Sequence, residues 1–109
     1  MQTPRVHETL RIVHLDDFGA VLGVTEQADG LAGRVSFPLR RIVADALAFG
    51  ATALLLSHNH PGGDPNPSRA DIAATNYLVR TIEPLGIRVH DHIVEGAERS
   101  FSFRAAGLL

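Results

Sequence analysis

The stretch from Ala51 to Asp71 constrains the fold of this chain more tightly than any other part of it. Ala51-Thr52-Ala53-Leu54-Leu55-Leu56 is an uninterrupted apolar run, too short for a helix and suited to a central strand covered on both faces; the strand is expected to stop at Ser57. Directly after it, Pro61, Gly62, Gly63, Pro65 and Pro67 deny the backbone both a helix and a sheet ladder within seven residues, so a rigid polar loop must follow. Helical patterns flank this unit on both sides. Upstream, Leu39, Ile42, Val43, Ala46 and Leu47 recur at i, i+3, i+4, i+7 and i+8, which predicts a helix from Pro38 to Phe49, capped by Ser36 and stopped by Gly50. Downstream, a helix begins near Ser68, carries Ile72, Thr75, Leu78, Val79 and Ile82 along one side, and ends at Pro84 and Gly86.

The remaining segments alternate like strands. From Glu8 to His14 the pattern places Leu10 and Ile12 on one face, Leu15 extends it, and Asp16-Asp17-Phe18-Gly19 forms a turn into a second strand over Ala20 to Glu26. Asp29 to Gly33 reads as loop, Ile87 to Glu95 as a strand, and Ser100 to Phe103 as a short edge strand, with Arg104 to Leu109 unassigned. The expected architecture is α/β: a mixed twisted β-sheet flanked by helices, the first helix on one face and the second near the other, in a single domain over residues 1–109.

Composition narrows the chemistry. With no cysteine, disulfides, thiolate nucleophiles and sulfur-ligated zinc are excluded, so any metal must be held by nitrogen and oxygen. All ten Lys/Arg positions are arginine, which excludes Schiff-base chemistry and a lysine base. A net charge of −2 with scattered arginines gives no broad surface for nucleic acid. The sequence has neither a run of about 20 apolar residues nor an apolar signal-peptide core before Leu10, so a cytoplasmic location without a membrane partner is expected.

Against that background, His58 and His60 sit two apart where a buried strand meets a loop, so in extended backbone their rings point to one side. Asp71, eleven residues on and one turn into the next helix, can be folded back by the proline-rich loop to offer a carboxylate oxygen to the same ion. Two imidazoles and a carboxylate form a three-ligand zinc set that leaves room for a water, whose pKa the metal lowers to about 7. That open position implies hydrolysis by attack of zinc hydroxide. A base is still required, and Glu26, at the expected end of the second strand, is the candidate. Ser68, three residues before Asp71, is placed to donate to an oxyanion. Each assignment has a plainer counterpart: Ser68 and Asp71 also fit a helix cap, and Glu26 an exposed strand-end carboxylate. His90 and His92 are expected on one face of their strand and Asp91 on the other, as structural residues, a second zinc site, or partners of a zinc-bound imidazole.

The segment from His58 to Asp71, with His-x-His-Pro followed by a loop ending in Ser-x-x-Asp, resembles the JAMM signature of the JAB/MPN metalloproteases. More narrowly, HNHPGGDPNPS, Leu85-Gly86-Ile87, Asp91-His92-Ile93 and the closing Ser100 to Leu109 look like the bacterial RadC-type proteins, a resemblance that runs from about Glu8 to Leu109. It implies zinc on the two histidines and the aspartate, an upstream glutamate as general acid/base, and an α/β fold related to the cytidine deaminases. It also implies a peptide or isopeptide bond as substrate, hence a protein or peptide partner. The glutamate could be Glu26 or Glu8, and strand order favours Glu26. Position 62 is Gly where RadC-type loops usually carry Ser, a change that leaves the ligands intact. Full-length members generally have an N-terminal helical region of helix-hairpin-helix character; none is seen here, so no DNA role attached to it is expected of these residues. Two other readings stay open: a metal-stabilised binding module without catalysis, and a nucleic-acid or DNA-repair-associated role.

Overall fold

The computed structural model describes residues 8–28, 37–60 and 62–109; the expected loop at 29–33 and the expected cap Ser36 lie outside them. Strands β1 (Thr9–Leu15) and β2 (Val21–Ala28) form the hairpin, helix α1 (Leu39–Phe49) leads to β3 (Ala53–Asn59), and α2 (Arg69–Ile82) leads through a 3₁₀ turn (Glu83–Leu85) to β4 (Arg88–Glu95) and β5 (Ser100–Ser102). They build one mixed sheet in the order β2-β1-β3-β4-β5. The hairpin turns where Asp16 Oδ1 accepts from the amides of Phe18 and Ala20 and Gly19 takes a positive φ of 81°. Among the described residues no helix is long and apolar enough to cross a membrane.

Both helices pack on the same face of the sheet, which corrects the expectation of one on each. Strands β2 and β3 are each antiparallel to β1, and β3 is parallel to β4. The β2-α1-β3 and β3-α2-β4 crossovers therefore step across the sheet in the same direction, and right-handed connections then place both helices on one side. Ile42 and Ala46 of α1 and Leu78 and Ile82 of α2 accordingly share one buried cluster with Leu10, Ile12, Leu54 and Leu56. The opposite face of β3 is less deeply covered: Ala53 is buried, while Leu55 and Ser57 are half-buried. A polar tie adds to the apolar contact with α1, since the buried Thr25 hydroxyl donates to Asp45 of the helix (2.6 Å) and stands 2.8 Å from His14 Nε2.

Two departures from simple alternation place the polar residues. Strand β3 runs past Ser57 to Asn59, because β1 and β4 continue to pair with it on both sides: Leu10 and Val94 both partner His58. Between β3 and β4 the register slips, Leu54 pairing with Val89 but Leu55 with Asp91. The extra residue is His90. This bulge resets the alternation, so that His90 is exposed and His92 fully buried, correcting the expectation that the two share a face.

Candidate metal centre

His58 extends the buried side of β3 beyond Leu54 and Leu56, and its residue is only 4% exposed. His60 follows the end of the strand, held by its amide to the Glu95 carbonyl at 2.9 Å. Its ring is fixed separately: Nδ1 lies 2.7 Å from the Asp64 carbonyl oxygen. A carbonyl can only accept, so Nδ1 carries the proton and Nε2 presents a lone pair. Asp71 arrives through a reciprocal cap at the start of α2, in which its amide donates to Ser68 Oγ (3.0 Å) and its Oδ2 accepts the Ser68 amide (2.8 Å). The sequence motif that caps the helix thereby aims the carboxylate at the two rings.

The three groups meet. His58 Nε2 is 3.0 Å from His60 Nε2, and Asp71 Oδ2 is 3.2 Å from His60 Nε2 and 3.6 Å from His58 Nε2. Together they form a group that could hold a metal ion. Burial works to raise the Asp71 pKa, but the neighbouring His58 ring, 3.6 Å away, and the hydrogen bonds from Ser68 outweigh it and hold the carboxyl well below its ordinary value. Asp71 is therefore an anion at neutral pH. The His60 lone pair and an anionic oxygen thus point at the same small volume, and a shared cation is the partner that suits both.

A model of the RadC-like JAB domain matches residues 1–108. The chain belongs to that family. It is 46% identical over 105 residues, 96% of its own length, to a UPF0758 protein of Rhodobacter capsulatus, and 40% identical over the same length to a UPF0758 protein of Ruegeria pomeroyi. It spans 49% and 47% of those two proteins, about half of each. The mixed five-stranded sheet and two helices of the described residues are consistent with the JAB/MPN fold.

Other residues of the RadC-like domain singled out in the sequence fare differently. Ser68 caps α2 through its oxygen lone pair, an arrangement that leaves the hydroxyl proton available to a further acceptor. Glu26 is not brought to the ligands. It pairs in register with Arg11, whose guanidinium it binds at 2.8 Å on the exposed surface. Arg11 alternates with Leu10, and Leu10 lies opposite His58, so Glu26 occupies the other face of the sheet, two strands away from β3. The same alternation puts Glu8, two residues before Leu10, on the His58 face, where it is 9% exposed. Strand order was the basis for preferring Glu26, and the observed order β2-β1-β3 removes that basis.

His92 lies beneath the site, with Nε2 2.7 Å from His58 Nδ1 and Nδ1 2.8 Å from the Thr75 hydroxyl. Burial, reinforced by His58, pushes its pKa down to about 3. Asp91 turns away to accept from Ser102 Oγ and from the amides of His92 and Arg104, which fixes the β4–β5 corner. Sequence reasoning missed the role of Thr75, counting it only in the apolar stripe of α2. A lone hydroxyl in such a stripe was the available signal.

The ligand loop is anchored to the β4–β5 turn by the Ala97 amide, which donates to the Gly63 carbonyl at 3.1 Å. A Cβ on Gly96 would come within 2.5 Å of that carbonyl oxygen and 2.9 Å of Pro65 Cδ, whereas one on Gly62 would meet nothing within 4 Å. Gly96→Ala should therefore displace the His60 loop, lowering stability by about 1–3 kcal/mol and weakening metal uptake, while Gly62→Ala changes neither. Thermal melts and metal titration of the two variants check this.

Proposed function

We propose that this domain is a zinc-dependent hydrolase of amide bonds, in peptide or isopeptide linkage, with zinc held by His58, His60 and Asp71. The observation that carries the reading is the convergence of Nε2, Nε2 and Oδ2 at 3.0, 3.2 and 3.6 Å. Zinc bonds of about 2.0–2.1 Å in tetrahedral geometry set ligand atoms roughly 3.3 Å apart, in the middle of that range. Nitrogen and oxygen donors are also what a cysteine-free chain must use. Among the described residues three ligands converge rather than four, which favours a working site over a structural one. When bound, the metal supplies Lewis acidity, polarising a carbonyl and bringing the pKa of water to about 7.

The chain's own groups supply the rest. Glu8, on the face of the sheet that carries His58, takes the proton of the attacking water and returns it to the leaving nitrogen. Ser68, with its lone pair engaged by the Asp71 amide, donates its hydroxyl proton to the oxyanion that develops on the carbonyl oxygen. The Ser68 amide holds Asp71 Oδ2 in place throughout. The amide preference rests on the JAB family to which the domain belongs.

The test is amide hydrolysis by purified protein on a panel of peptide and isopeptide substrates. Activity should vanish with a chelator and return with stoichiometric zinc. Zinc uptake without turnover on any amide would overturn the hydrolase reading in favour of a metal-stabilised binding module.

A further inference from the structure

The hydrogen bonds beneath the site have a direction. Thr75 has one hydroxyl proton, and it is given to the Asp71 carbonyl one turn back in α2, at 2.8 Å. Toward His92 the Thr75 oxygen can then only accept, so His92 carries its proton on Nδ1. A second proton on the same ring would place a charge in a fully buried pocket, stacked on Phe103 at 4.5 Å and 11°. His92 Nε2 is therefore bare and accepts from His58 Nδ1 at 2.7 Å. With its proton on Nδ1, His58 turns a lone pair toward His60 and Asp71.

We propose that His92 is a positioning residue for the metal centre: it locks His58 in the Nδ1-protonated tautomer, and Thr75 in turn locks His92. The chain of bonds starts at the carbonyl of one ligand residue, Asp71, and ends on the ring of another, His58, so helix α2 and strands β3 and β4 are held in one arrangement by a single run of protons. Water has no access to replace any member, because Thr75 and His92 are both fully buried. His60 has its proton fixed by a backbone carbonyl instead, so the two imidazoles are prepared by independent means. The inference rests on the zinc reading only for its effect on affinity; the tautomer itself is a property of the metal-free protein.

The test therefore has two arms. In metal-free wild type, ring ¹⁵N shifts should show His58 protonated on Nδ1 and bare on Nε2. In competition with a chromophoric chelator, His92→Phe, which keeps an aromatic ring to stack on Phe103 but offers no acceptor, should bind zinc about 10- to 100-fold more weakly than wild type. His92→Gln, whose amide oxygen can still accept from His58, should recover most of that loss. Thr75→Val, which removes the hydroxyl at nearly constant volume, should weaken zinc binding in the same direction and stands in if His92→Phe does not fold. Nε2 protonation of His58 in the metal-free protein would overturn the proposal, as would wild-type zinc affinity in folded His92→Phe or Thr75→Val. A wild type that takes up no zinc while showing the Nδ1 tautomer would overturn the metal reading and with it the positioning role, leaving only the tautomer lock.

Discussion

Asp71→Asn should abolish stoichiometric zinc binding while leaving the fold intact. The asparagine side chain retains an oxygen that can accept the Ser68 amide, and the backbone amide of residue 71 still donates to Ser68 Oγ, so the start of α2 keeps its cap. What is lost is the anion that faces His60 Nε2 at 3.2 Å. Removing a direct ligand should exceed the 10- to 100-fold effect typical of groups that only support one, so a loss beyond about 100-fold is expected. Zinc should raise the melting temperature of wild type by mass action and leave that of Asp71→Asn unmoved. His58→Ala should lose zinc equally but also destabilise the metal-free protein, since it opens a cavity and strips His92 Nε2 of its donor. Elemental analysis and paired melts with and without zinc decide the matter. Equal metal content in wild type and both variants would remove His58, His60 and Asp71 as the ligand set.

The convergence of His58, His60 and Asp71 into a group that could hold a metal ion was legible in sequence because each part of it follows from local chemistry. Alternation in extended chain sets His58 and His60 on one side, the proline-rich loop permits only a short return, and the serine that caps α2 also aims Asp71. The two helices and five strands were legible for similar reasons, their apolar periods being long and their ends marked by Gly50, Ser68 and Gly86. What escaped was decided between elements. The shared face of α1 and α2 depends on the relative directions of β2, β3 and β4, which no single segment encodes. The burial of His92 depends on one inserted residue in β4 that matters only against the register of β3. The run from Ala51 to Leu56 was read as covered on both faces, yet among the described residues both helices lie on one side of it.

Choosing between the two glutamates has the largest catalytic consequence. Glu8→Gln should lower the rate of amide hydrolysis by about 10²- to 10⁴-fold, the range associated with loss of general acid–base catalysis, with zinc content unchanged. Glutamine keeps the shape of the side chain and an accepting oxygen but cannot take up and return a proton, so the substitution isolates that step. Glu26→Gln should leave both rate and zinc content near wild type. Glu26 is half-exposed, bound to Arg11, and on the face of the sheet opposite His58, so its loss should cost no more than the ~0–1 kcal/mol typical of a surface ion pair. Side-by-side steady-state rates of the two variants, each with its zinc content measured, separate the assignments. If Glu26→Gln were the inactive one, the proton would have to cross from one face of the sheet to the other, and the placement of the reaction on the Glu8 side of β1 would fail.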